Sequence, residues 1–459
     1  MNDPQVHDFL ISDPARNDAL RAAVDRNYHA DETAAVQALL AEARLDSEAQ
    51  QRVDERARSL VQAVRDRKAD QGLLDAFMQE YDLSSEEGVV LMCLAEALLR
   101  IPDDETAERL IADKLGDADW ESHLGRSSSV LVNASTWGLM LTGKLVALPA
   151  STQSNFRSTL KRLVNRSGEP MVRTAIRQAM RIMGHQYVMG RTIDEALDRS
   201  LAKNNVAYRH SFDMLGEAAL TAADSDRYLQ AYRGAIEAIG ARERPQDIFA
   251  APSISVKLSA LHPRFEQGQR RRVLRELTPR LLELAQLAMA NRMALTVDTE
   301  EADRLLLTLD VFAAVLKESD LAGWNGLGLA LQTYQKRAWV VIDWLAELSR
   351  QTGQRIPLRL VKGAYWDSEI KHAQVEGYSG YPVFTRKAST DVSYISCARK
   401  VLGNRQAFYP QFATHNAHTI AVVTELAGIG PDGVRDTSHR FPTLLPGGKA
   451  LLYLAGAAG

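Results

Sequence analysis

The chain has 459 residues, of which 46% are hydrophobic and 25% charged, a composition typical of a soluble globular protein with about two to four domains. Its net charge of −3 excludes a global field that would favour nucleic acid or anionic membranes. Cys93 and Cys397 form neither a metal motif nor a disulfide framework, which indicates a reducing cytoplasm.

The first part of the chain is predicted to be helical. Apolar residues recur at three- and four-residue spacing in stretches such as ETAAVQALLAEARL and EAQQRVDERARSLVQAVRDR. We expect a helical arm over residues 1–60 and an all-helical domain over residues 61–185. The N-terminus has no signal-peptide pattern, and the longest apolar run, GVVLMCLAEALL, is too short to span a membrane.

A basic stretch at residues 156–192 contains eight Arg or Lys residues and the single acid Glu169. It is compatible with a nucleic-acid patch or with the solvated face of amphipathic helices. The second interpretation is favoured, because no aromatic residues are interleaved and no DNA-binding motif is recognisable.

From about residue 205, strand-like apolar runs alternate with amphipathic helices such as 270–292 and 337–351. The runs are 211–220, 253–261, 294–300, 326–334, 356–366 and 408–416. Alternation at this spacing predicts a parallel sheet, which either a barrel or a doubly wound sheet would provide.

Polar residues late in these runs favour the barrel. They are Lys257, Asp298, Gln332, Arg359 with Lys362, and Thr414 with His415 and Asn416. In a barrel the carboxyl ends of all strands meet at one mouth, whereas a doubly wound sheet gathers them at a switch point. The predicted fold class is therefore α/β, with a barrel over residues 186–427 after an all-α arm and helical domain. An atypical tail follows at residues 428–459.

The side chains predicted at this mouth favour a flat, electron-rich ligand that carries phosphates. They comprise the cations Lys257, Arg359 and Lys362, the acid Asp298, the amide Gln332, His415, and the aromatics Tyr365 and Trp366. No metal-ligand spacing, hydrolase nucleophile elbow, dinucleotide fingerprint or P-loop is found. A flavin fits this set, because its pyrimidine edge needs an amide, its reduced ring a cation, and its diphosphate positive charge.

Successive motifs of this part resemble those of one known family. They are SVKLSALHPRFE, VDTEEADRL, LQTYQKRA, RLVKGAYWD, GYPVFTRKASTDVSY and FYPQFATHNAHT. They are similar to motifs of the proline dehydrogenase domain of proline utilization A, a family of bacterial bifunctional flavoenzymes. The resemblance covers roughly residues 12–427. It implies a distorted (β/α)8 barrel that binds FAD, oxidises L-proline to Δ1-pyrroline-5-carboxylate, and passes electrons to membrane quinone.

Carried over by position, the resemblance assigns roles to individual residues. Arg359 would lie near flavin N5, and Gln332 would bond the pyrimidine or ribityl region. The residues implied to hold the ribityl, diphosphate and adenine parts are Lys362, Trp366, Thr414, His415 and Asn416. Gly363 and Ala364 leave room for a ring system to lie against the strand end, so Gly363 is also predicted to bind the cofactor. The residues implied near the substrate are Lys257 and Asp298, which would share catalysis with Arg359, then Ala364, Tyr365, Asp213 and Glu217. Hydride transfer from ring C5 of proline to flavin N5 requires a neutral amine.

The sequence departs from the family pattern after about residue 428. In the family, a pair of arginines in a later helix meets Asp213 and Glu217 and holds the proline carboxylate. The tail IGPDGVRDTSHRFPTLLPGGKALLYLAGAAG lacks them, and neither the aldehyde dehydrogenase half nor the ribbon-helix-helix segment of some members is found. We therefore expect a truncated or frameshifted chain with an incomplete or distorted (β/α)8 barrel of about six strands, impaired proline oxidation and no DNA binding.

Two alternatives stay open at this point: a non-catalytic remnant and a DNA-binding regulator of proline utilization. Whether the chain is an enzyme or a non-catalytic remnant, the resemblance implies a homodimer formed through the helical arm. It also implies a cytoplasmic location, peripheral on the inner face of the plasma membrane.

Overall fold

The computed structural model describes residues 18–66, 189–203 except 191, 205, 208–242 except 215, 245–430, and 433–434. Most of the predicted helical domain, most of the basic stretch and most of the tail lie outside the described residues. Among the described residues, one compact unit holds 18–61 and those from 202 onward, and a second holds 62–66 and 189–201.

Three helices form the arm: α1 (Ala19–Arg26), α2 (Glu32–Ala43) and α3 (Ser47–Asp66). An aspartate precedes each helix, and its carboxylate accepts a hydrogen bond from an N–H group of the first turn. Such caps satisfy backbone donors that have no partner within the helix. The helices predicted in this range are confirmed.

The central sheet has six strands, and each lies within a run predicted from the sequence. The strands are β1 (Ser211–Asp213), β2 (Ser253–Lys257), β3 (Leu295–Asp298), β4 (Leu327–Gln332), β5 (Ile356–Val361) and β6 (Phe408–Phe412). All pairings are parallel, and the strands lie in sequence order. Because the order never reverses, the sheet has no doubly wound switch point, and the barrel-like prediction is confirmed as a curled half-barrel.

Helices accompany the strands along the chain. They are α4 (Ile193–Ser200), α5 (Ala222–Ala241), α6 (Leu258–Leu261), α7 (Arg270–Ala290), α8 (Leu305–Leu316), α9 (Ala338–Thr352), α10 (Trp366–Val375), α11 (Lys387–Gly403) and α12 (Ala417–Leu426). A short hairpin of β7 (Ile429–Gly430) and β8 (Gly433–Val434) follows. Within the described ranges, no helix has the length and apolar character that crossing a membrane requires.

The strands end earlier than the sequence predicts. The run 253–261 is a strand only to Lys257, and its last four residues form α6. The run 356–366 leaves the sheet after Val361, and α10 begins at Trp366. Beyond these strand ends, Ser259 of the first run bonds the Glu300 side chain and Ala364 of the second bonds the Gln332 side chain, so the polar segments form the mouth of the sheet.

The two faces of the sheet differ in character, because side chains alternate along each strand. Leu358 and Leu360 on one face of β5 are fully buried. Arg359 on the other face bonds to Ser211 of β1 and Ser255 of β2. A side chain on β5 reaches β1 only if the sheet curls, so the polar face lines the interior.

The arm packs on the barrel unit through a buried arginine. Arg21 of α1 donates to the Leu306 carbonyl at 2.5 Å and to Asp310 Oδ1 at 2.6 Å, and its guanidinium lies over the Trp344 ring. Arg270 donates to the other oxygen of Asp310. Breaking one member of such a buried group leaves polar atoms without a partner, which is costly.

We predict that Arg21→Ala lowers the free energy of unfolding by about 1–3 kcal/mol, because the Leu306 carbonyl and one Asp310 oxygen lose their donor. Urea denaturation measures the change. Arg227→Ala is the matched control: Arg227 pairs with Asp224 on the surface, and its loss should change stability by less than about 0.5 kcal/mol. Equal effects of both variants would contradict the prediction.

Candidate active site

Four residues predicted at the mouth come together. Asp213 ends β1, Lys257 ends β2 and Asp298 ends β3, while Arg359 projects from the inner face of β5. Lys257 Nζ lies 2.9 Å from Asp213 Oδ2 and 3.5 Å from Asp298 Oδ2. Arg359 Nη1 lies 3.7 Å from Asp298 Oδ1. Two cations and two carboxylates thus alternate across the mouth.

Arg359 is only 4% exposed and is held by polar groups from other strands. It donates to Ser255 Oγ and to Ser211 Oγ, each at 2.9 Å, and to Gln411 Oε1 at 3.3 Å. These donations keep the planar guanidinium in a fixed orientation. The sequence analysis does not single out Ser211, Ser255 or Gln411. Gln411 could have been found, because a glutamine inside an apolar strand indicates a polar partner in the interior.

The charges of the cluster are coupled. Burial disfavours the charged form of Lys257, but Asp298 and Asp213 outweigh it, so the pKa of Lys257 is raised. Burial raises the pKa of Asp298, while Arg359 and Lys257 act in the opposite direction. Lys257 is therefore a cation at neutral pH, where it can orient or repel a ligand group but does not accept a proton.

Gln332 lies at the end of β4 and connects two loops. Its amide nitrogen donates to the Thr299 and Glu300 carbonyls, at 2.9 and 2.7 Å, and its oxygen accepts from Ala364 N at 2.9 Å. All three bonds go to main-chain atoms, so the side chain fixes the backbone next to the mouth.

Gly363 has a packing reason that the sequence does not reveal. A Cβ atom at this position would lie 2.3 Å from ring atoms of Tyr334. The Tyr334 ring therefore occupies the space beside the glycine, and any side chain at this position would displace it.

Glu217 and Tyr365 face each other across the mouth. The Tyr365 hydroxyl donates to Glu217 Oε2 at 3.3 Å, although the two residues belong to the loops after β1 and β5. Burial and the nearby Glu217 carboxylate raise the pKa of Tyr365, so its hydroxyl stays a donor.

A second charged group lies beside β5. Lys362 Nζ contacts Asp391 Oδ1 at 2.5 Å and Thr419 Oγ1 at 3.2 Å, and Lys387 Nζ contacts Asp391 Oδ2 at 2.8 Å. Burial acts to raise the pKa of Asp391, but Lys362 and Lys387 prevail and lower it. The sequence analysis missed Asp391, which lies four residues after Lys387 on α11.

Trp366 begins α10, and its Nε1 donates to the Phe384 carbonyl at 3.0 Å.

The predicted residues after β6 differ in their contacts. Asn416 caps α12, since its Oδ1 accepts from Thr419 N at 3.0 Å. The hydroxyl of Thr414 accepts from Asn416 N at 3.1 Å, and His415 is exposed. Thr414 and Asn416 thus already have local structural contacts. Within the described residues, no group of His, Cys, Asp and Glu side chains could hold a metal ion.

Three family models match successive parts of the chain. The model described as Proline dehydrogenase matches residues 196–447 and so extends beyond residue 428, where the motif resemblance ends. Proline utilization A proline dehydrogenase N-terminal domain matches residues 18–65. DNA-binding domain of Proline dehydrogenase matches residues 73–187, and this match does not fit the expectation that the chain binds no DNA.

Known proteins and structures match most of the chain. Bifunctional protein PutA of Salmonella typhimurium is 49% identical over 411 residues, which are 89% of this chain and 31% of that protein. The same-named protein of Rhizobium meliloti is 46% identical over 409 residues, 89% of this chain and 33% of that protein. A crystal structure of a Bradyrhizobium japonicum PutA mutant has a TM-score of 0.65 at 48% identity, covering 88% of this chain and 40% of that chain.

The chain spans about a third of the length of the curated relatives that it matches. The proline dehydrogenase model alone covers more than half of the chain. The chain therefore belongs to the proline dehydrogenase family and carries the proline dehydrogenase domain of proline utilization A.

Proposed function

We propose that the chain catalyses the FAD-dependent oxidation of L-proline to Δ1-pyrroline-5-carboxylate, the first step of proline catabolism to glutamate. The observation that carries the proposal is the cluster of Asp213, Lys257, Asp298 and Arg359, held together at the carboxyl ends of the strands. In barrels of this kind the chemistry takes place at that end of the sheet. Membership of the proline dehydrogenase family supports proline as the substrate.

The residues beside β5 fit a dinucleotide cofactor. Among the described residues, no side chain caps the N-terminus of α11, so its first N–H groups suit an anion. Lys362 and Lys387 flank this helix end and share Asp391. We infer that these lysines would hold the FAD diphosphate. A bound FAD would supply the acceptor for the hydride that leaves proline.

The remaining predicted residues would surround other parts of FAD. The set is Arg359, Gln332 and Gly363 for the flavin, and Trp366, Thr414, His415 and Asn416 for the ribityl, diphosphate and adenine parts. Arg359 would stabilise negative charge beside it, because its guanidinium is fixed in orientation by hydroxyl and amide groups.

The charged groups of the cluster also influence the pKa of the proline amine. Its amine has to be neutral before hydride leaves the adjacent carbon. Lys257 and Arg359 lower the pKa of an ammonium group bound beside them, whereas Asp213 and Asp298 raise it. Lys257 neutralises part of the effect of both carboxylates. Ala364 and Tyr365 would form a wall of this pocket, with Glu217 opposite Tyr365.

Family membership further supports electron transfer to membrane quinone, by a cytoplasmic protein that attaches peripherally to the inner face of the plasma membrane. We also propose a homodimer formed through the arm at residues 1–60, followed by the domains at 61–185 and 186–427. The expectation of impaired turnover stays a prediction, which a comparison with a full-length bifunctional relative tests.

A second candidate function is DNA binding. It is favoured by the family model that matches residues 73–187, a range that overlaps the basic stretch 156–192. Fluorescence anisotropy with a labelled duplex tests it: binding should weaken as salt rises, since phosphate contacts release counterions. Unchanged anisotropy at low salt would exclude this role for the chain.

We predict that the purified chain carries flavin and that excess proline bleaches the flavin absorbance under anaerobic conditions. Single-turnover bleaching is detectable even for a slow enzyme. Arg359→Met should slow the bleaching about 100-fold or more, because fixed positive charge at the reacting group is lost. Arg355→Met is the matched control: Arg355 precedes the same strand at the opposite end and bonds the Phe408 carbonyl. A colourless protein that takes up no added FAD would refute the proposed cofactor.

We predict that Lys257→Met moves the acidic limb of the kcat profile for proline, which reports ionisations in the enzyme–substrate complex, to higher pH. Without the positive charge of Lys257, the negative charges of Asp213 and Asp298 act on the bound amine uncompensated. The pKa of the amine therefore rises, and a higher pH is needed to neutralise it. Asp213→Asn should shift the limb in the opposite direction. Identical limbs in the wild type and both variants would show that these charges do not act on the amine.

A further inference from the structure

A buried glutamate lies below the mouth, outside the cluster already described. Glu300 follows β3 and is 2% exposed. Its Oε2 accepts from Ser259 N at 3.0 Å, and its Oε1 accepts from the Ser259 hydroxyl. The carboxyl group therefore fixes both the main chain and the side chain of one serine in α6.

Ser259 in turn holds the loop that carries Glu217. Its Oγ accepts from Ala218 N and its carbonyl accepts from Ala219 N, each at 2.9 Å. Ala218 has a positive φ of 54°, a conformation that an alanine adopts only when its surroundings hold it there. Glu217 precedes it directly, so the serine determines where the Glu217 side chain can reach.

The same short segment also holds the facing loop. The Glu300 carbonyl accepts from Gln332 Nε2 at 2.7 Å, and Gln332 Oε1 accepts from Ala364 N at 2.9 Å. Tyr365 follows Ala364 and donates to Glu217 Oε2. The contacts close a ring that runs from Glu217 through Ser259, Glu300, Gln332 and Tyr365 back to Glu217.

We propose that Glu300 is a positioning residue which, through Ser259, holds Glu217 opposite Tyr365 and so sets the closure of the mouth. The ring follows from the contacts alone. Its consequence for proline binding rests on the proposed function.

The hydrogen bonds of Glu300 depend on its charge. An ionised carboxylate can accept from both donors of Ser259, whereas a protonated carboxyl becomes a donor at one oxygen, and the serine hydroxyl loses an acceptor. Burial raises the pKa of Glu300 to about 7. Among the described residues, the ionisable groups that face it are Arg304, whose Nη1 lies 4.0 Å away, Glu301 and Tyr365. Ionised Glu300 therefore suits both Ser259 bonds, and we expect the ring to loosen where the carboxyl is protonated.

The sign of the stability effect follows from the same shift. The folded-state pKa lies above that of an exposed glutamate, so the neutral form is the one that folding favours. The stabilisation is fully present below the unfolded pKa and is lost as the pH rises through about 7. The cost arises from ionising a buried carboxyl, and the two Ser259 bonds offset part of it.

Amide hydrogen exchange of the Ala218 segment tests the proposal without any turnover. After correction for intrinsic rates, the wild type should exchange about three- to tenfold faster at pH 6 than at pH 8 in this segment. Glu300→Gln, which imitates the protonated carboxyl, should exchange at the faster rate at both pH values. Glu369→Gln is the matched control, since Glu369 is equally buried, also has a pKa raised to about 7, and bonds Ala302 N without touching Ser259.

A double-mutant cycle tests the route through the serine. Ser259→Ala should raise the exchange of the Ala218 segment as Glu300→Gln does, and adding Glu300→Gln to it should produce no further change. With proline, each single variant should raise KM about three- to tenfold and change kcat less, because the bridge positions the site and does not touch reacting atoms. Thermal unfolding verifies that the variants are folded.

The proposal would be overturned if the effects of Ser259→Ala and Glu300→Gln on the exchange rate were additive. It would also be overturned if Glu300→Gln exchanged the Ala218 segment at the wild-type rate, or if Glu369→Gln accelerated that exchange as much as Glu300→Gln does. If the chain fails to oxidise proline while the exchange results hold, the proposed function falls and the positioning role of Glu300 stands.

Discussion

A guanidinium inside a curled sheet has to be matched by polar groups from the strands around it. Isolated burial of such a charge costs many kcal/mol, so Arg359 requires the hydroxyls of Ser211 and Ser255, the amide of Gln411 and the carboxylate of Asp298. These groups lie on four other strands. They converge only if the sheet curls, so the charge and the curvature of the half-barrel depend on each other.

The same requirement organises the charges at the mouth. Asp298 compensates Arg359 from one side and Lys257 from the other, and Lys257 also compensates Asp213. Each cation thereby lies beside at least one carboxylate in a mostly buried place. A site of fixed charges with little exposure acts strongly on a bound ligand, since little water screens it. This property, combined with family membership, makes proline oxidation the function that the site supports best.

The loops around the mouth are fixed from below by side-chain bonds to the main chain. Gln332 and Ser259 each bond backbone atoms of another loop, and both bond the segment at Glu300. Such bonds set loop positions without occupying the mouth itself. The walls of the mouth are therefore positioned by bonds that do not use its charged groups.

The sequence by itself determined the parallel, barrel-like sheet, because apolar runs with polar ends repeat at regular spacing. It placed Lys257, Asp298 and Arg359 at one end of the sheet, and motif resemblance gave the family. The tertiary structure alone decided what each residue contacts. Gln411 and Ser211 reach Arg359 only through the curl of the sheet, and Tyr334 explains Gly363 only through ring packing. Glu300 and Ser259 are 41 positions apart, and no local pattern records a contact between such distant residues.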